Sequence, residues 1–277
     1  MIYIGPAGIP LEAKGKGIIE GVRAVAKLGL NAMEVQFVRG VRMSPEQAEE
    51  VRKVSEAEGV KLSVHAPYYI NFCSVKEKIV DKSLERLQRA VDIAGILGAD
   101  VVTFHAGFYG ELGSKEAIEA VVRNLEKVEF PRGVKAGIET MGRQKQFGTL
   151  DEVLAVAEIT GHLPVLDFAH VHARCNGCLR KTGDFLALLR RVEEKLGADV
   201  VRNIHTHFTG VEYSNGNERS HLVLEEGDLK FEPLAKAFVE MGIRPTVICE
   251  SPILEKDALK MLEIAKKVGL AQTQELR

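Results

Sequence analysis

Eight short runs of β-forming residues recur along the 277-residue chain, separated by stretches with the 3.6-residue period of amphipathic helices. Regular alternation of this kind is typical of parallel βαβ units, in which each helix connects two parallel strands. The runs begin roughly 30 to 45 residues apart, which leaves room for one crossover each. The predicted strands are Ile2–Gly5, Ala32–Phe37, Lys61–His65, Asp100–His105, Lys135–Glu139, Pro164–Asp167, Val200–His205 and Pro245–Glu250.

The connections between these runs are of two kinds. Those that lead from a helix into a strand are short and contain a glycine, as at Gly59, Gly98 and Gly161, where a left-handed residue can end the helix. Those that lead from a strand into a helix are longer and polar, above all 168–183 and 208–227. Elaborate loops at one end only predict a closed (β/α)₈ barrel, the TIM barrel fold, as one domain over residues 1–277. An open doubly wound sheet stays an alternative, because strand order cannot be read from the sequence.

Composition limits the class of protein. The chain is 45% hydrophobic and 27% charged, as in ordinary globular domains, and it has neither a secretory leader nor an apolar run long enough for a membrane span. We therefore expect a cytoplasmic monomer with no membrane partner. The formal net charge of −2 gives no support to a nucleic-acid partner, because such domains often carry a basic excess.

The four cysteines do not form the framework of a secreted disulfide-rich domain. Cys175 and Cys178 have the CxxC spacing, and either a thiol pair or a disulfide is compatible with it. A second such pair is absent from the sequence, so a four-cysteine zinc site is excluded. Cys73 and Cys249 are expected to be buried packing residues.

Ionisable side chains stand at the ends of six consecutive predicted strands. Any one of them alone could be paired or solvated, but in a closed parallel barrel all six meet at one rim, where they would repel or lose charge without compensation. A metal site resolves this conflict, because neutral imidazoles and carboxylates become ligands. The six residues are His65, His105, Glu139, Asp167, His205 and Glu250.

Two further histidines join this set. His170 lies three residues after Asp167, and His221 lies in the longest strand-to-helix loop. Imidazoles and carboxylates without an obvious thiolate favour zinc, with manganese or iron next, and disfavour calcium. Eight ligands exceed the needs of one tetrahedral ion, so two or three ions are predicted. Clustered divalent ions suit in-line displacement at phosphorus.

Several motifs resemble, in the same order along the chain, those of endonuclease IV, a family of trinuclear-zinc apurinic/apyrimidinic (AP) endonucleases with the TIM barrel fold. The resemblance implies an enzyme of DNA repair that hydrolyses the phosphodiester 5′ to abasic sites in damaged double-stranded DNA, with zinc ions activating the attacking water. The motifs are Val64–Asn71, Phe104–Gly107, Ile138–Thr140, Leu166–His170, Ile204–His205 and Ile248–Pro252.

The same resemblance implies how the ligands divide among three ions. His65, His105 and Glu139 would hold the first, with Glu139 as the catalytic, metal-bridging carboxylate; Asp167, His205 and Glu250 would complete the second; and His170 and His221 would hold the third. The family has an aspartate two residues before the last histidine, where this chain has Arg219, so Glu218 would have to replace it.

Another departure lies beyond the seventh strand, where the family has an Asn-Asp pair and this chain has His207-Phe208. His207 and His172 are expected only to orient ligands from outside the cluster.

The resemblance also implies a DNA-binding surface. Tyr68 and Tyr69 match side chains that the family wedges into DNA beside the lesion, and Arg42 matches an inserted arginine. Extrusion of an abasic nucleotide costs little, because it stacks poorly. Arg143, Lys145 and Arg174 are further candidates for phosphate contacts.

A second function fits part of the same pattern. Sugar isomerases and epimerases on a related barrel use Glu, Asp, His and Glu from strands five to eight around one metal, and Glu139, Asp167, His205 and Glu250 match that set. A non-catalytic metal- or nucleic-acid-binding paralogue is a third possibility. The surplus histidines favour the nuclease, because a one-metal isomerase has no required place for them.

Overall fold

The computed structural model describes residues 2–271, so the ends of the predicted domain, residue 1 and residues 272–277, lie outside the described residues. Eight parallel strands form one sheet in the order β1-β10-β7-β6-β5-β4-β3-β2. The strands are β1 (Tyr3–Pro6), β2 (Ala32–Gln36), β3 (Lys61–His65), β4 (Val101–Phe104), β5 (Lys135–Glu139), β6 (Leu163–Asp167), β7 (His205–Phe208) and β10 (Thr246–Cys249). The sheet closes on itself with helices outside, which confirms the predicted TIM barrel.

The helices surround the sheet and bury their apolar faces against it. Two of them begin with capping boxes in which Ser44 and Thr149 accept hydrogen bonds from backbone N–H groups. The helices are α1 (Ile18–Lys27), α2 (Pro45–Glu58), α3 (Glu77–Leu97), α4 (Ser114–Leu125), α5 (Leu150–Thr160), α6 (Phe168–Arg174), α7 (Thr182–Leu196), α8 (Ala198–Arg202), α9 (Phe231–Glu240) and α10 (Glu255–Lys267). Between residues 2 and 271, none of them is both long and apolar enough to cross a bilayer.

The seventh strand was predicted in the wrong place. Residues 198–202, which contain two adjacent valines, form the short helix α8 instead of a strand, and Val201 is buried. The barrel strand begins only at His205, where the predicted strand ended. Pairing on both sides sets its register, because Asp167 of β6 lies opposite His207 and Ile248 of β10 lies on its other side.

The long segment after β7 is also more ordered than a loop. It contains an antiparallel hairpin, β8 (Gly210–Ser214) and β9 (Asn217–Leu222), at the carboxyl end of the barrel. Its ladder has one irregularity: Glu212 pairs with Ser220, but the next residue, Tyr213, pairs with Glu218, so Arg219 is the extra residue of a β-bulge.

The seam between β1 and β2 is closed by a side chain as well as by backbone. Asn31 accepts a hydrogen bond from the N–H of Ile4 at 2.8 Å and donates one to the carbonyl of Ile2 at 2.9 Å. Its own N–H donates to the carbonyl of Ile4, and Gly8 donates to the carbonyl of Glu34. The Asn31 amide therefore takes the place of ladder hydrogen bonds that the two strands do not make with each other.

Replacing this amide tests the closure. We expect Asn31→Ala to lower the free energy of unfolding by about 2 kcal/mol, because backbone groups of the buried residues Ile2 and Ile4 lose their partners. Asn203→Ala is the control: Asn203 is exposed, and its loss should change stability by less than about 0.5 kcal/mol. Guanidinium denaturation of both variants measures the difference, and equal stabilities would contradict this account of the seam.

Candidate metal centre

The carboxyl ends of the strands gather four groups of potential ligands, in each of which the ligand atoms lie within 4.8 Å of one another. Three of these groups lie at the mouth, and the fourth lies beneath them. The first is His65, His105 and Glu139; the second is Glu139, Asp167, His207 and Glu250; the third is His170, Glu218 and His221; the fourth is Glu34, His205 and His207.

Glu139 connects the first two groups. Its Oε2 lies 3.2 Å from Nε2 of His65 and 3.0 Å from Nε2 of His105, whereas its Oε1 lies 3.3 Å from Nδ1 of His207. The carboxylate is 1% exposed at the end of β5, so neither oxygen is paired with bulk solvent. This geometry suits the predicted bridging role.

The second group contains a buried acceptor that makes no hydrogen bond. Among the described residues, Asp167 Oδ2 makes no hydrogen bond, while Oδ1 accepts one from the backbone N–H of His170. A carboxylate oxygen left without a donor in a dry site costs free energy of about 1–3 kcal/mol. Asp167 belongs to the group with Glu139, His207 and Glu250, so the residues present fit a divalent cation at this point.

His207 occupies the place that was predicted for His205. The two residues point to the same side of β7, because side chains two apart share a face of a strand. His205 lies one layer deeper and is not part of the group with Asp167 and Glu250; its Nε2 lies 3.1 Å from Glu34 Oε2. The structure therefore brings His207, and not the predicted His205, together with Asp167 and Glu250, because β7 begins where the predicted strand ended.

The third group depends on the bulge in the hairpin. In a regular strand, residues three apart point to opposite faces, but the extra residue Arg219 brings Glu218 and His221 to the same face. Glu218 then lies 3.4 Å from Nε2 of His170 and 3.3 Å from Nε2 of His221. Glu218 therefore lies beside both histidines of the third group, as expected if it replaces the aspartate for which this chain has Arg219.

The loop after β5 holds this hairpin in position. Glu218 N–H donates to the carbonyl of Gly142, and a Cβ at residue 142 would lie 2.9 Å from Cβ of Glu218. Glycine therefore allows the close approach of the two backbones. Arg174 braces the same loop by donating to the carbonyls of Arg143 and Gln146, so its guanidinium is engaged within the protein.

Protons balance the charge of the cluster when it holds no metal. Although burial acts to raise it, the pKa of Glu139 is held well below its usual value by the neighbouring His105 and His207. Although burial acts to lower it, the pKa of His170 is raised well above its usual value by Asp167 and Glu139, and that of His221 rises to about 9 beside Glu218. Metal binding at these groups would therefore release protons.

The predicted DNA-contacting residues lie around this centre. Tyr68 is 44% exposed, its ring stacks on His105 with centroids 5.1 Å apart, and its hydroxyl donates to Gln36. Tyr69 is 60% exposed at the rim, and Arg42 is exposed in the loop after β2.

Cys175 and Cys178, whose state the sequence left open, form a disulfide after α6, and Cys73 and Cys249 are buried as predicted.

Glu34 is the member of these groups that the sequence analysis missed. It lies in the middle of β2, is fully buried, and faces the barrel interior below the mouth. The sequence offered one signal, an isolated glutamate among the apolar residues Ala32, Met33 and Val35. A buried strand seldom contains a carboxylate that has no partner.

The family of xylose isomerase-like TIM barrels matches residues 22–268. The chain belongs to this family. An uncharacterized protein of Methanocaldococcus jannaschii is 32% identical over 95% of this chain and 96% of its own length. A probable endonuclease 4 of Natranaerobius thermophilus is 28% identical over 79% of this chain and 80% of its own length, which confirms the resemblance to endonuclease IV.

Solved structures of this fold include a nuclease and a sugar epimerase relative. Endonuclease IV of Thermus thermophilus superposes with a TM-score of 0.74 at 21% identity, over 96% of this chain and 97% of its own. A D-tagatose 3-epimerase-like protein superposes with a TM-score of 0.69 at 23% identity, over 89% and 91% of the two chains. At these identities the similarity shows only that the fold is shared. The reaction has to be inferred from the side chains at the mouth of the barrel.

A pair of substitutions tests the corrected register. We expect His207→Ala to bind one metal ion fewer than the wild-type protein, because His207 belongs to the second group, and His205→Ala to keep the wild-type number. Elemental analysis of both folded variants measures this, with circular dichroism to verify folding. Loss of an ion from His205→Ala with a full complement in His207→Ala would restore the original prediction.

Proposed function

We propose that this protein is a zinc-dependent AP endonuclease that hydrolyses the phosphodiester 5′ to abasic sites in damaged double-stranded DNA. The proposal rests chiefly on the third ligand group. His170, Glu218 and His221 come from α6 and from the hairpin after β7, and they add a site beyond the ligands that one cation needs. Five imidazoles and four carboxylates across the three mouth groups favour zinc, with manganese as the second choice.

The roles of the side chains follow from their positions. Glu139 would bridge the first two sites, and Glu250 faces both His207, at 3.4 Å, and His221, at 3.9 Å, so it lies between the second and third sites. Divalent ions held there would supply Lewis acidity that stabilises charge on the attacking and leaving oxygens of a phosphodiester. The protein's contribution is to hold the three sites close enough to act on one phosphate.

The distribution of charge around the mouth supports a polyanionic substrate despite the overall charge of −2. The segments between β2 and α2, between β5 and α5, and between β6 and α7 contain no acidic residue. Apart from Arg180, which pairs with Asp228 at 2.9 Å, their exposed basic residues are Arg39, Arg42, Arg143, Lys145 and Lys181. Basic side chains on the functional face provide phosphate contacts independently of sequence.

Tyr68 and Tyr69 supply the apolar part of such an interface. Exposed tyrosines beside a metal centre can fill the gap that an extruded abasic nucleotide leaves in the base stack. Tyr68 is anchored by His105 and Gln36, whereas Tyr69 projects further from the rim. We assign the wedge role to both, with Arg42 as the nearby basic contact.

One observation favours a second candidate, a one-metal sugar epimerase. Glu139, Asp167, His207 and Glu250 form a four-ligand group on their own, and an epimerase-like protein shares the barrel. The first and third groups would then have no part in the reaction. We rank this function second for that reason.

Incision of a duplex with a single abasic analogue tests the proposal. We expect nicking 5′ to the abasic site with Zn²⁺ or Mn²⁺, none on the undamaged duplex and none with excess chelator. Glu139→Gln should lower the rate by roughly 10³-fold, because loss of the bridging carboxylate removes several kcal/mol of metal-dependent stabilisation. Glu126→Gln, at an exposed glutamate, is the control. A fully metal-loaded protein that leaves the abasic duplex intact and epimerises a ketose would establish the second candidate instead.

The wedge can be tested separately from the chemistry. We expect Tyr69→Ala to raise the Kd for abasic duplex by about tenfold, the loss of one stacking contact, without changing the metal content. Arg42→Ala should lower the magnitude of the slope of the logarithm of the binding constant against the logarithm of the salt concentration by about one. Ile159→Ala is a matched control, because Ile159 is 59% exposed near the end of α5, away from the mouth. Unchanged affinity in Tyr69→Ala would remove this residue from the interface.

A further inference from the structure

Glu34 lies beneath the second ligand group and has no part in the function proposed above. Its carboxylate is surrounded by donors from four strands. Oε1 accepts from Nε2 of Gln36, and Oε2 accepts from the hydroxyls of Ser63 and Thr103. Nε2 of His205 lies 3.1 Å from Oε2.

Three histidines of the mouth groups share one pattern of hydrogen bonds. Nδ1 of His65, His170 and His221 each lies 2.8–3.1 Å from a backbone carbonyl, those of Ala66, Thr140 and Glu250 respectively. A carbonyl only accepts, so Nδ1 carries the proton and the lone pair is on Nε2 in the neutral ring. Nε2 is the atom that faces the shared carboxylates, Glu139 or Glu218.

His207 is oriented the other way round. Its Nδ1 faces the second group, 3.3 Å from Glu139 Oε1 and 3.4 Å from Glu250 Oε1. Its Nε2 points down into the barrel and lies 3.1 Å from Oε1 of Glu34. No backbone carbonyl contacts this ring within the described residues, so Glu34 provides what the carbonyls provide for the other three histidines.

We propose that Glu34 is a positioning residue that fixes the tautomer of His207. By accepting the Nε2 proton, it leaves the Nδ1 lone pair directed at the second group, where a metal ion would use it. This inference rests on the metal centre of the proposed function and is independent of its substrate. A carboxylate replaces a carbonyl here because His207 stands inside the barrel, where the backbone groups of neighbouring strands are paired with each other.

An alternative role for the fourth ligand group is a further metal site formed by Glu34, His205 and His207. The hydrogen bonds disfavour it. A neutral imidazole has one lone pair, so His207 cannot serve a cation below through Nε2 and another above through Nδ1. The donors from Gln36, Ser63 and Thr103 also already occupy the carboxylate oxygens.

The tautomer can be measured without metal or substrate. Long-range ¹H–¹⁵N correlation spectra of the metal-free protein, at a pH where His207 is neutral, should show the proton on Nε2 in the wild-type protein. Glu34→Ala should lose this preference, and Glu34→Gln should keep it, because the amide oxygen can still accept one hydrogen bond. A wild-type proton on Nδ1 would overturn the proposal.

Zinc affinity gives the second readout. In a titration against a chromophoric chelator, Glu34→Ala should bind one of its zinc ions about 10- to 100-fold more weakly, and Glu34→Gln should lose less. Thr103→Val is the matched control: it removes a different hydrogen bond from the same carboxylate and leaves the His207 contact intact. Thermal melting establishes that each variant is folded, and the tautomer of the wild-type protein keeps the proposal falsifiable if Glu34→Ala does not fold.

Three further results would overturn the proposal. Unchanged zinc affinity in both folded Glu34 variants would do so while leaving the metal centre and the nuclease proposal intact. Zinc-edge anomalous density between Glu34 and His205 would show that Glu34 is a ligand of a fourth metal site and not a positioning residue. Failure of the wild-type protein to bind zinc would remove both this inference and the proposed function.

Discussion

The architecture of the mouth depends on compensation of buried charge. Glu139, Asp167, Glu218 and Glu250 converge with five imidazoles in a site where Glu139 and Asp167 are almost completely buried. Carboxylates removed from water are costly unless cations or donors accompany them. Without metal, protonated His170 and His207 meet this need, as the raised pKa values of both residues indicate. Divalent ions would replace those protons, and Asp167 Oδ2, which accepts no hydrogen bond within the described residues, is the place where the replacement is most clearly required.

Strand geometry brings these groups together from distant parts of the chain. Parallel strands all end at the same rim, so His65 at the end of β3 meets Glu139 of β5 and His207 of β7. The two-residue period of strands then sorts side chains into layers, with His207 at the mouth and His205 one layer down. The hairpin adds a third group that no barrel strand could supply, and the bulge at Arg219 sets its register. Below this mouth, Glu34 links β2 to β7 through both histidines.

Most of the fold and much of the site could be predicted, because local periodicity and the ends of strands carry that information. Seven strands lie close to their predicted positions, and His65, His105, Glu139, Asp167, His170, His221, Glu218 and Glu250 all lie in the mouth groups. The prediction of the seventh strand failed because Val200 and Val201 have high β propensity, whereas tertiary contacts place them in the helix α8. The choice between His205 and His207 likewise depends on pairing with β6 and β10, which the sequence of one strand cannot reveal. Glu34 was missed because it stands in the middle of its strand, and the bracing role of Arg174 depends on a loop conformation that residue type alone does not specify.

The central claim is that these side chains surround shared cations, and the most direct measurement is the metal content of the protein purified without chelator. Elemental analysis by mass spectrometry should give two to three zinc ions per chain, with loss of all of them on dialysis against a strong chelator. A single manganese ion per chain would contradict the multi-ion centre and favour the epimerase. A protein that is folded, free of metal and unable to take up zinc would contradict the account as a whole.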